Sequence, residues 1–556
     1  KQVLLKSVLA AMPLYAMSCF KLPVSLCQRI QSVLTRFWWD DKPDKKKLSW
    51  VSWDKLTLPK SEGGLGFREI EQFNDALLAR ISWKVLHHPE SLLARVLLGK
   101  YCNDQPFLEV TASPACSHGW RSVLAGREVL KKGLGWIVGD GVSIRIWKDP
   151  WLSTATPTVP IGPPTAENRL LKVSALLSPE TNDWNLSAIR QHFSHQESTI
   201  RKLIPSTSKR SDRLGWLPEK SGTYSTKTVY RLSKVNSSAL HQTTFNWQLN
   251  LWNLSVPPKV KMFLWKLQRR ALPVGGNLAI RGITSDLACK RCGGEESELH
   301  ILLLCPYAKR VWGLAPLFRM SNAALIDSTA KLLSSARLSL CLPPAGISHT
   351  SLPHWIFWHL WKSRNSLVFD NKSNPESDTL SRALVAAKEW QEARIACLVS
   401  KRHSKTPLSR SEDHSINLPL IEGSSTSVPL IEDLSLYLPH GEDVYCFIDA
   451  AWNASSGSCG LGWCFQTHYR VIHRGSSSRL HTPSALAAEA LAMKSALTAA
   501  LRMDLTSITV FSDSQVLVSL LTTETTTNEL QEILYDISFL CRSFIYVYSS
   551  FRKFLC

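Results

Sequence analysis

The chain has 556 residues, 44% apolar and 20% charged, with 26 Gly and 29 Pro. These proportions exclude a collagen-like or globally disordered chain, and the length leaves room for three or four domains with buried cores. Lys and Arg outnumber Asp and Glu by 65 to 45, a net charge of +20; residues 444–556 carry eight basic and eight acidic side chains, so the whole excess falls in residues 1–443. A polyanionic partner would meet that part first.

Residues 1–100 read as a basic, mainly α-helical region, with apolar positions three and four apart in Val3–Met17, Leu26–Trp38 and Phe73–Val85. The opening is amphipathic, with neither the charged-then-apolar order nor the cleavage site of a signal peptide, and reads as the tail of a longer reading frame. Between the second and third helices lies Asp40–Lys60, whose run Lys45-Lys46-Lys47 reads as a solvated loop, followed by the turn Glu62-Gly63-Gly64-Leu65-Gly66-Phe67. Residues 101–204 form a turn-rich connector. In it Asp140-Gly141, between Trp136-Ile137-Val138 and Val142–Trp147, predicts a two-residue β-hairpin. The 21 Trp of the chain mostly recur within apolar runs, which predicts core filling rather than base stacking.

Residues 205–316 carry a compact motif, CKRCGGEESELHILLLC. Cys289, Cys292, His300 and Cys305 offer three thiolates and one imidazole, and Gly293-Gly294 permits the tight turn after the first pair. A small α+β domain stapled by a structural Zn²⁺ is expected, because four protein ligands leave no open position for water. The other cysteines, of 14 in all, are scattered, as suits a reducing compartment. Residues 317–402 read as a helical connecting segment. Residues 403–443, rich in Ser and Pro and repeating PLIE, read as a flexible linker. No apolar run approaches the roughly 18–20 residues of a membrane span, so no membrane partner is expected.

Residues 444–556 change character. Short β-like runs (Tyr445–Ala450, Gly460–Phe465, Tyr469–Arg474) precede a long helix (Ser484–Met503), a strand (Ser507–Ser512), two helices (Gln515–Leu521, Asn528–Cys541) and a last strand (Phe544–Ser549). The order predicts a compact α/β domain with a mixed five-stranded sheet. Asp449 lies on the first strand, Glu489 on the helix among alanines, and Asp513 at the end of a strand. A lone carboxylate closing an apolar strand is costly to bury unless it is paired or bound to metal. Three such groups converging at one end of the sheet would hold Mg²⁺ for phosphodiester hydrolysis, whereas left apart they are solvated or capping strand ends.

Taken together, these segments resemble the C-terminal part of plant non-LTR (LINE-type) retrotransposon polyproteins. Leu5–Trp39, the following WDKLTLPKSEGGLGFR, and GDGVSIRIWKDPW look like the region after the reverse-transcriptase palm. YSTKTVYRL, VPPKVKMFLWKLQRRALP, CKRC and ELHILLLCPYAKRVW look like the reverse-transcriptase zinc-binding domain, and WHLWKSRNSLVF like the connecting segment. CFIDAAWN, GLGW, AAEALAMKSAL and VFSDSQ look like the ribonuclease H-like domain. The resemblance implies that Asp449, Glu489 and Asp513 are catalytic acids binding Mg²⁺ or Mn²⁺, that Cys289, Cys292, His300 and Cys305 bind Zn²⁺, and that the partner is RNA, DNA or an RNA–DNA hybrid. A basic chain with no signal-peptide pattern is expected to be nuclear or cytoplasmic, not secreted. The chain lacks the polymerase motif Tyr-any-Asp-Asp, so DNA synthesis is not expected. The family's domain ends with a segment bearing an Asn and a fourth metal-binding Asp; Phe544–Cys556 has neither, which implies impaired hydrolysis. The competing expectation is a non-catalytic nucleic-acid-binding remnant of such an element.

Overall fold

The computed structural model describes the chain apart from residues 43, 104, 163, 167, 239–244, 284–286, 319–324, 404–443, 524, 545 and 552–556; nearly all of the linker expected at 403–443, and the tail after the last strand, lie outside the described residues. The chain divides into two compact units: Lys1–Leu14, Pro23–Glu71 and Ser238–Glu422 in one, and Tyr15–Leu22, Gln72–Ser237 and Gly423–Cys556 in the other.

The first unit is helical. Helix α1 (Val24–Trp39) starts directly after Pro23 and buries Cys27, Leu34 and Trp39 on one face. The single helix expected over Val3–Met17 is interrupted: a π-helical turn spans Leu5–Leu9, and a fresh helix begins only at Leu14, after Pro13. Proline lacks the amide N–H, and its ring collides with the preceding turn. Helix α2 (Pro258–Gln268) has Pro at its first turn, where no N–H is needed, and buries Val260, Phe263, Leu264, Trp265 and Leu267. The indole of Trp265 and the guanidinium of Arg269 donate to the carbonyl of Gly63 at 2.8 and 3.0 Å. Gly63 has φ +81°, and a Cβ there would lie 2.3 Å from the Trp247 ring. The turn after Glu62 therefore requires glycine twice over, for its backbone and for its neighbour.

Helices α3 (Pro306–Leu314), α4 (Leu352–Asp370) and α5 (Glu376–His403) also belong to this unit. Asn371, in the left-handed conformation at φ 52°, ends α4 and lets the chain return as α5. The buried Tyr307 hydroxyl bonds Ser363 (3.1 Å), Thr379 (2.6 Å) and the carbonyl of Asn374 (2.9 Å), fastening α3 to that helical hairpin.

In the second unit, strand β1 (Leu134–Ile137) pairs antiparallel with β2 (Arg213–Trp216). The hairpin expected at Asp140-Gly141 does not form. Residues 139–143 instead wrap the carboxylate of Asp212, which accepts from the amides of Gly139, Gly141 and Ser143 at 2.8–2.9 Å. The partner strand thus comes from far along the chain. The intervening residues bury Ile144, Ile146, Trp151, Val173, Ile189 and Phe193 in a core of their own.

The C-terminal part is a five-stranded mixed sheet in the order β5-β4-β3-β6-β7, formed by β3 (Tyr445–Trp452), β4 (Cys459–Gln466), β5 (Val471–Arg479), β6 (Ser507–Ser512) and β7 (Tyr546–Phe551). β3 pairs antiparallel with β4 and parallel with β6. Cys446 and Ile448 of β3 and Leu461 and Phe465 of β4 share a core with helix α6 (Ala485–Arg502), which meets the sheet through Ala488, Ala492, Ala496 and Ala500. β5 is an edge strand, exposed along most of its length. Helices α7 (Gln515–Thr522) and α8 (Gln531–Cys541) follow β6.

This sheet domain is joined to the β1–β2 region by buried polar groups. Asp536 of α8, 1% exposed, accepts from Ser206 Oγ (2.7 Å), the Thr207 amide and hydroxyl (both 2.9 Å) and Lys494 Nζ (2.6 Å). Burial works against its charge, but Lys494 and these hydrogen bonds outweigh burial and hold its pKa below the usual carboxylate range. Asn528 donates to the carbonyls of Thr154 and Glu219, and its amide to that of Lys220.

One turn before Asp536, Glu532 is 4% exposed, and neither carboxylate oxygen has a hydrogen-bond partner among the described residues. Arg210 stands 3.9 Å away. Burial pushes its pKa up to about 7, Arg210 and Arg213 offset this only partly, and Asp536 and Asp212 add to it. The fold therefore prefers the protonated form: stability from this group is complete below the unfolded carboxyl pKa and is lost as pH rises through about 7. Glu532→Gln should raise the thermal midpoint at pH 8, by up to about 3 kcal/mol of stability, and change little below pH 4.5. Thermal unfolding followed by circular dichroism at both pH values checks this; a lower midpoint at pH 8 would show that the arginine pairing dominates.

Candidate metal centres

Two clusters of metal-ligating side chains stand out among the described residues. In each, one ligand atom from every residue lies within 4.8 Å of the others.

The first joins Cys289, Cys292, His300 and Cys305. The amides of Cys292 and Gly293 both turn back to the Cys289 carbonyl (3.3 and 2.8 Å), and Gly293 adopts φ 75°. Ala288 bridges Glu295, closing a small loop that aims both thiols inward. A π-helical turn carries His300 at its start, and Cys305 caps α3 just before Pro306. His300 Nε2 lies 3.2 Å from Cys292 Sγ. Burial lowers the His300 pKa and so favours neutral imidazole, the ligating form. Burial raises the Cys289 thiol to about 11, whereas the Gly294 amide lowers that of Cys292. A tetrahedral ion with metal–sulfur bonds of about 2.3 Å needs sulfurs about 3.8 Å apart. The cluster fits such an ion.

A supporting pair escaped the sequence reading. Glu296, 2% exposed, accepts two bonds from Arg364 (2.9 and 2.6 Å) and one from the Gly275 amide (3.0 Å), tying the loop to α4 and to the start of a short helix. The available signal was a Glu inside the cysteine loop and an Arg in an otherwise apolar helix.

The second cluster joins Asp449, Glu489 and Asp513. The parallel pairing of β3 with β6 runs Tyr445–Phe447 against Thr509–Phe511 and then stops. Asp449 lies two residues beyond it on β3, and Asp513 one residue after β6. Both acids therefore lie just past the parallel pairing, Asp449 where β3 pairs only with β4 and Asp513 directly after β6. Glu489 reaches them from the second turn of α6, whose neighbours Ala487, Ala488 and Ala490 are fully buried and let the helix lie close. Asp449 and Asp513 are exposed and Glu489 half-buried. One oxygen of Glu489 is buried with no hydrogen-bond partner among the described residues. Burial, then repulsion from Asp513 and Asp449, pushes its pKa up to about 7. Three mutually repelling carboxylates with an orphaned oxygen suit a small divalent cation, which takes oxygen ligands at about 2.0–2.1 Å.

Residues 224–312 match the family described as zinc-binding in reverse transcriptase, and residues 447–553 the family described as reverse transcriptase-like. An uncharacterised mitochondrial protein of Arabidopsis thaliana is 43% identical over 152 residues, 27% of this chain and 99% of that protein. A putative ribonuclease H protein of the same plant is 31% identical over 322 residues, 56% of this chain and 51% of that protein, so the chain spans about half the length of this relative. Among solved structures, ribonuclease H1 of the halophilic archaeon Halobacterium salinarum aligns with 20% of this chain and 86% of its own at 22% identity and a TM-score of 0.19. LC11 ribonuclease H1, solved in complex with an RNA/DNA hybrid, aligns with 20% of this chain and 85% of its own at 16% identity and a TM-score of 0.19. With both modules present in order and plant relatives at these identities, the chain belongs to the plant non-LTR retrotransposon reverse-transcriptase family and carries its zinc-binding and ribonuclease H-like modules.

Proposed function

We propose that the chain is a nucleic-acid-binding protein whose C-terminal domain hydrolyses the RNA strand of RNA–DNA hybrids, with Asp449, Glu489 and Asp513 as the catalytic, metal-binding acids. The observation that carries this reading is the gathering of those three carboxylates within 4.8 Å, from the middle of β3, the second turn of α6 and the residue after β6. Mg²⁺ or Mn²⁺ held there would polarise the scissile phosphate and acidify a water. The chain's part is to hold the ligands. Asp449, on the central strand, has its side chain fixed by the Ala450 amide at 2.8 Å and is placed to face both other acids. Glu489 and Asp513 close the cluster from the helix and from the neighbouring strand. Among the described residues no fourth carboxylate joins the three. Such a set holds one ion firmly and a second weakly, so turnover should be slow. The net positive charge of residues 1–443 supplies sequence-independent attraction for the phosphate backbone.

For the four-ligand cluster the proposal is a structural Zn²⁺ held by Cys289, Cys292, His300 and Cys305. Its place at the start of α3, with Glu296 bound to Arg364 beside it, suits a staple rather than a catalytic centre.

Two tests follow. Elemental analysis of the purified chain should find one zinc per molecule, and Cys292→Ser should lose it together with helicity; a zinc-free, folded wild-type chain would sink the assignment. With a labelled RNA–DNA hybrid and Mg²⁺, the chain should cleave slowly, Asp449→Asn should fall at least about a hundredfold further, and adding an Asp-bearing segment after β7 should speed cleavage. Full activity in Asp449→Asn would refute the site. No cleavage in either form, with hybrid binding retained, would favour a non-catalytic binding protein.

A further inference from the structure

The helical unit contains a groove of about 740 Å³ whose wall is aromatic and basic at once. Trp38 and Trp39 from the end of α1, Trp50 from the following loop, and Trp358 and Trp361 from α4 line it, together with Lys259 and Lys266 of α2. Trp38, Trp50 and Trp358 are only half-buried, unlike Trp120, Trp151, Trp216 and Trp265, which are fully enclosed in cores. Among the described residues neither lysine is ion-paired; Lys266 lies over the Trp39 ring, 5.8 Å from its centroid. Lys47, also on the rim, is taken by Asp41, whereas no carboxylate lies within ion-pair distance of Lys259 or Lys266 among the described residues. Burial lowers the pKa of Lys266, and Lys47 and Lys1 lower it further, with only Asp41 opposing. An ammonium so placed gains from an incoming anion. The Trp39 indole N–H, buried on the same wall, has no acceptor among the described residues.

We propose that this groove binds single-stranded nucleic acid, stacking bases on Trp50 and Trp358 and pairing phosphates with Lys259 and Lys266. Only a single strand fits this chemistry, because the bases of a duplex already stack on one another and present no free faces. An apolar peptide would leave both ammonium groups unmatched, whereas a polyanion with flat π-faces meets both features of the wall. This inference rests on the reading of the chain as a nucleic-acid binder and is independent of the hydrolytic one. It also revises the expectation that the tryptophans serve only as core.

The test uses the full chain and a fluorescein-labelled oligouridine of twelve nucleotides, with a duplex of equal length beside it, read by anisotropy. Trp358→Ala and Trp50→Ala should each weaken single-strand binding about tenfold, and the corresponding Phe variants should restore most of it. Lys259 is exposed, so Lys259→Gln should fold normally; it should reduce the slope of log affinity against log salt by about 0.7. If the chain binds the oligonucleotide but all three groove variants bind like wild type, the groove is not the site, although the nucleic-acid reading stands. If the chain binds neither strand nor duplex, both fail. Equal affinity for strand and duplex, insensitive to the tryptophans, would also overturn the proposal.

Discussion

The second unit depends on one buried anion. Asp536 carries a negative charge almost fully out of water, which is tolerable only because Lys494, two hydroxyls and the backbone amides of residues 207 and 208 all point at it. Lys494 comes from the long helix of the sheet domain, and the other donors come from the segment before β2. The helix, the segment and α8 are therefore positioned by a single carboxylate. Removing any donor would leave the charge short of a partner inside the core, a larger loss than the hydrogen bond itself is worth. The sheet domain is thereby an integral part of its unit, and the long helix that bears Glu489 is held at its middle as well as against the sheet.

The two ligand clusters solve opposite electrostatic problems. In the cysteine loop burial keeps the Cys289 thiol protonated until something draws the proton away. In the carboxylate cluster the half-buried Glu489 bears the burial and the repulsion from its two exposed neighbours, which push its pKa up to about 7. The first arrangement is built around short local turns and can close on its own sequence. The second draws on residues 40 and 24 positions apart, and it exists only because a parallel strand pair ends where a helix packed through alanines passes by.

That contrast explains what could be read in advance. The cysteine cluster was legible because its spacing is local, and the strands of the last domain were legible because their apolar alternation is. Asp449, Glu489 and Asp513 stood out as charges at the ends or middle of apolar runs, but only topology brings them together. The expected hairpin at Asp140-Gly141 failed for the same reason in reverse: the turn residues are there, yet the competing partner, β2, lies some seventy residues on, and Asp212 arrives with it to take the loop amides. The tryptophans were half legible. Apolar runs predicted core for most of them, and Trp120, Trp216 and Trp265 are enclosed, while the half-exposed rings of Trp38, Trp50 and Trp358 come from separate stretches whose shared wall no single stretch reveals. Asn528 and Asp536 left no trace in the pattern, since a polar residue on a helix ordinarily faces water.

The edge strand β5 has a consequence of its own. As the edge of the sheet it pairs with β4 alone, and the backbone groups on its outer side have no neighbouring strand, the arrangement that lets two molecules add to each other's sheets. Gly475 at its centre is covered by the Trp463 ring from β4, so that a side chain there would strike the indole at 2.3 Å. The ring replaces the missing side chain and keeps the strand from slipping in register. Arg474 and Arg479 flank a row of serines along the same strand. Val471 and Ile472 at the start of the strand are exposed, whereas the half bearing Arg474 and Arg479 offers charge and hydroxyls. Pairing with a second edge would therefore be opposed by charge along the arginine-bearing half of the strand alone.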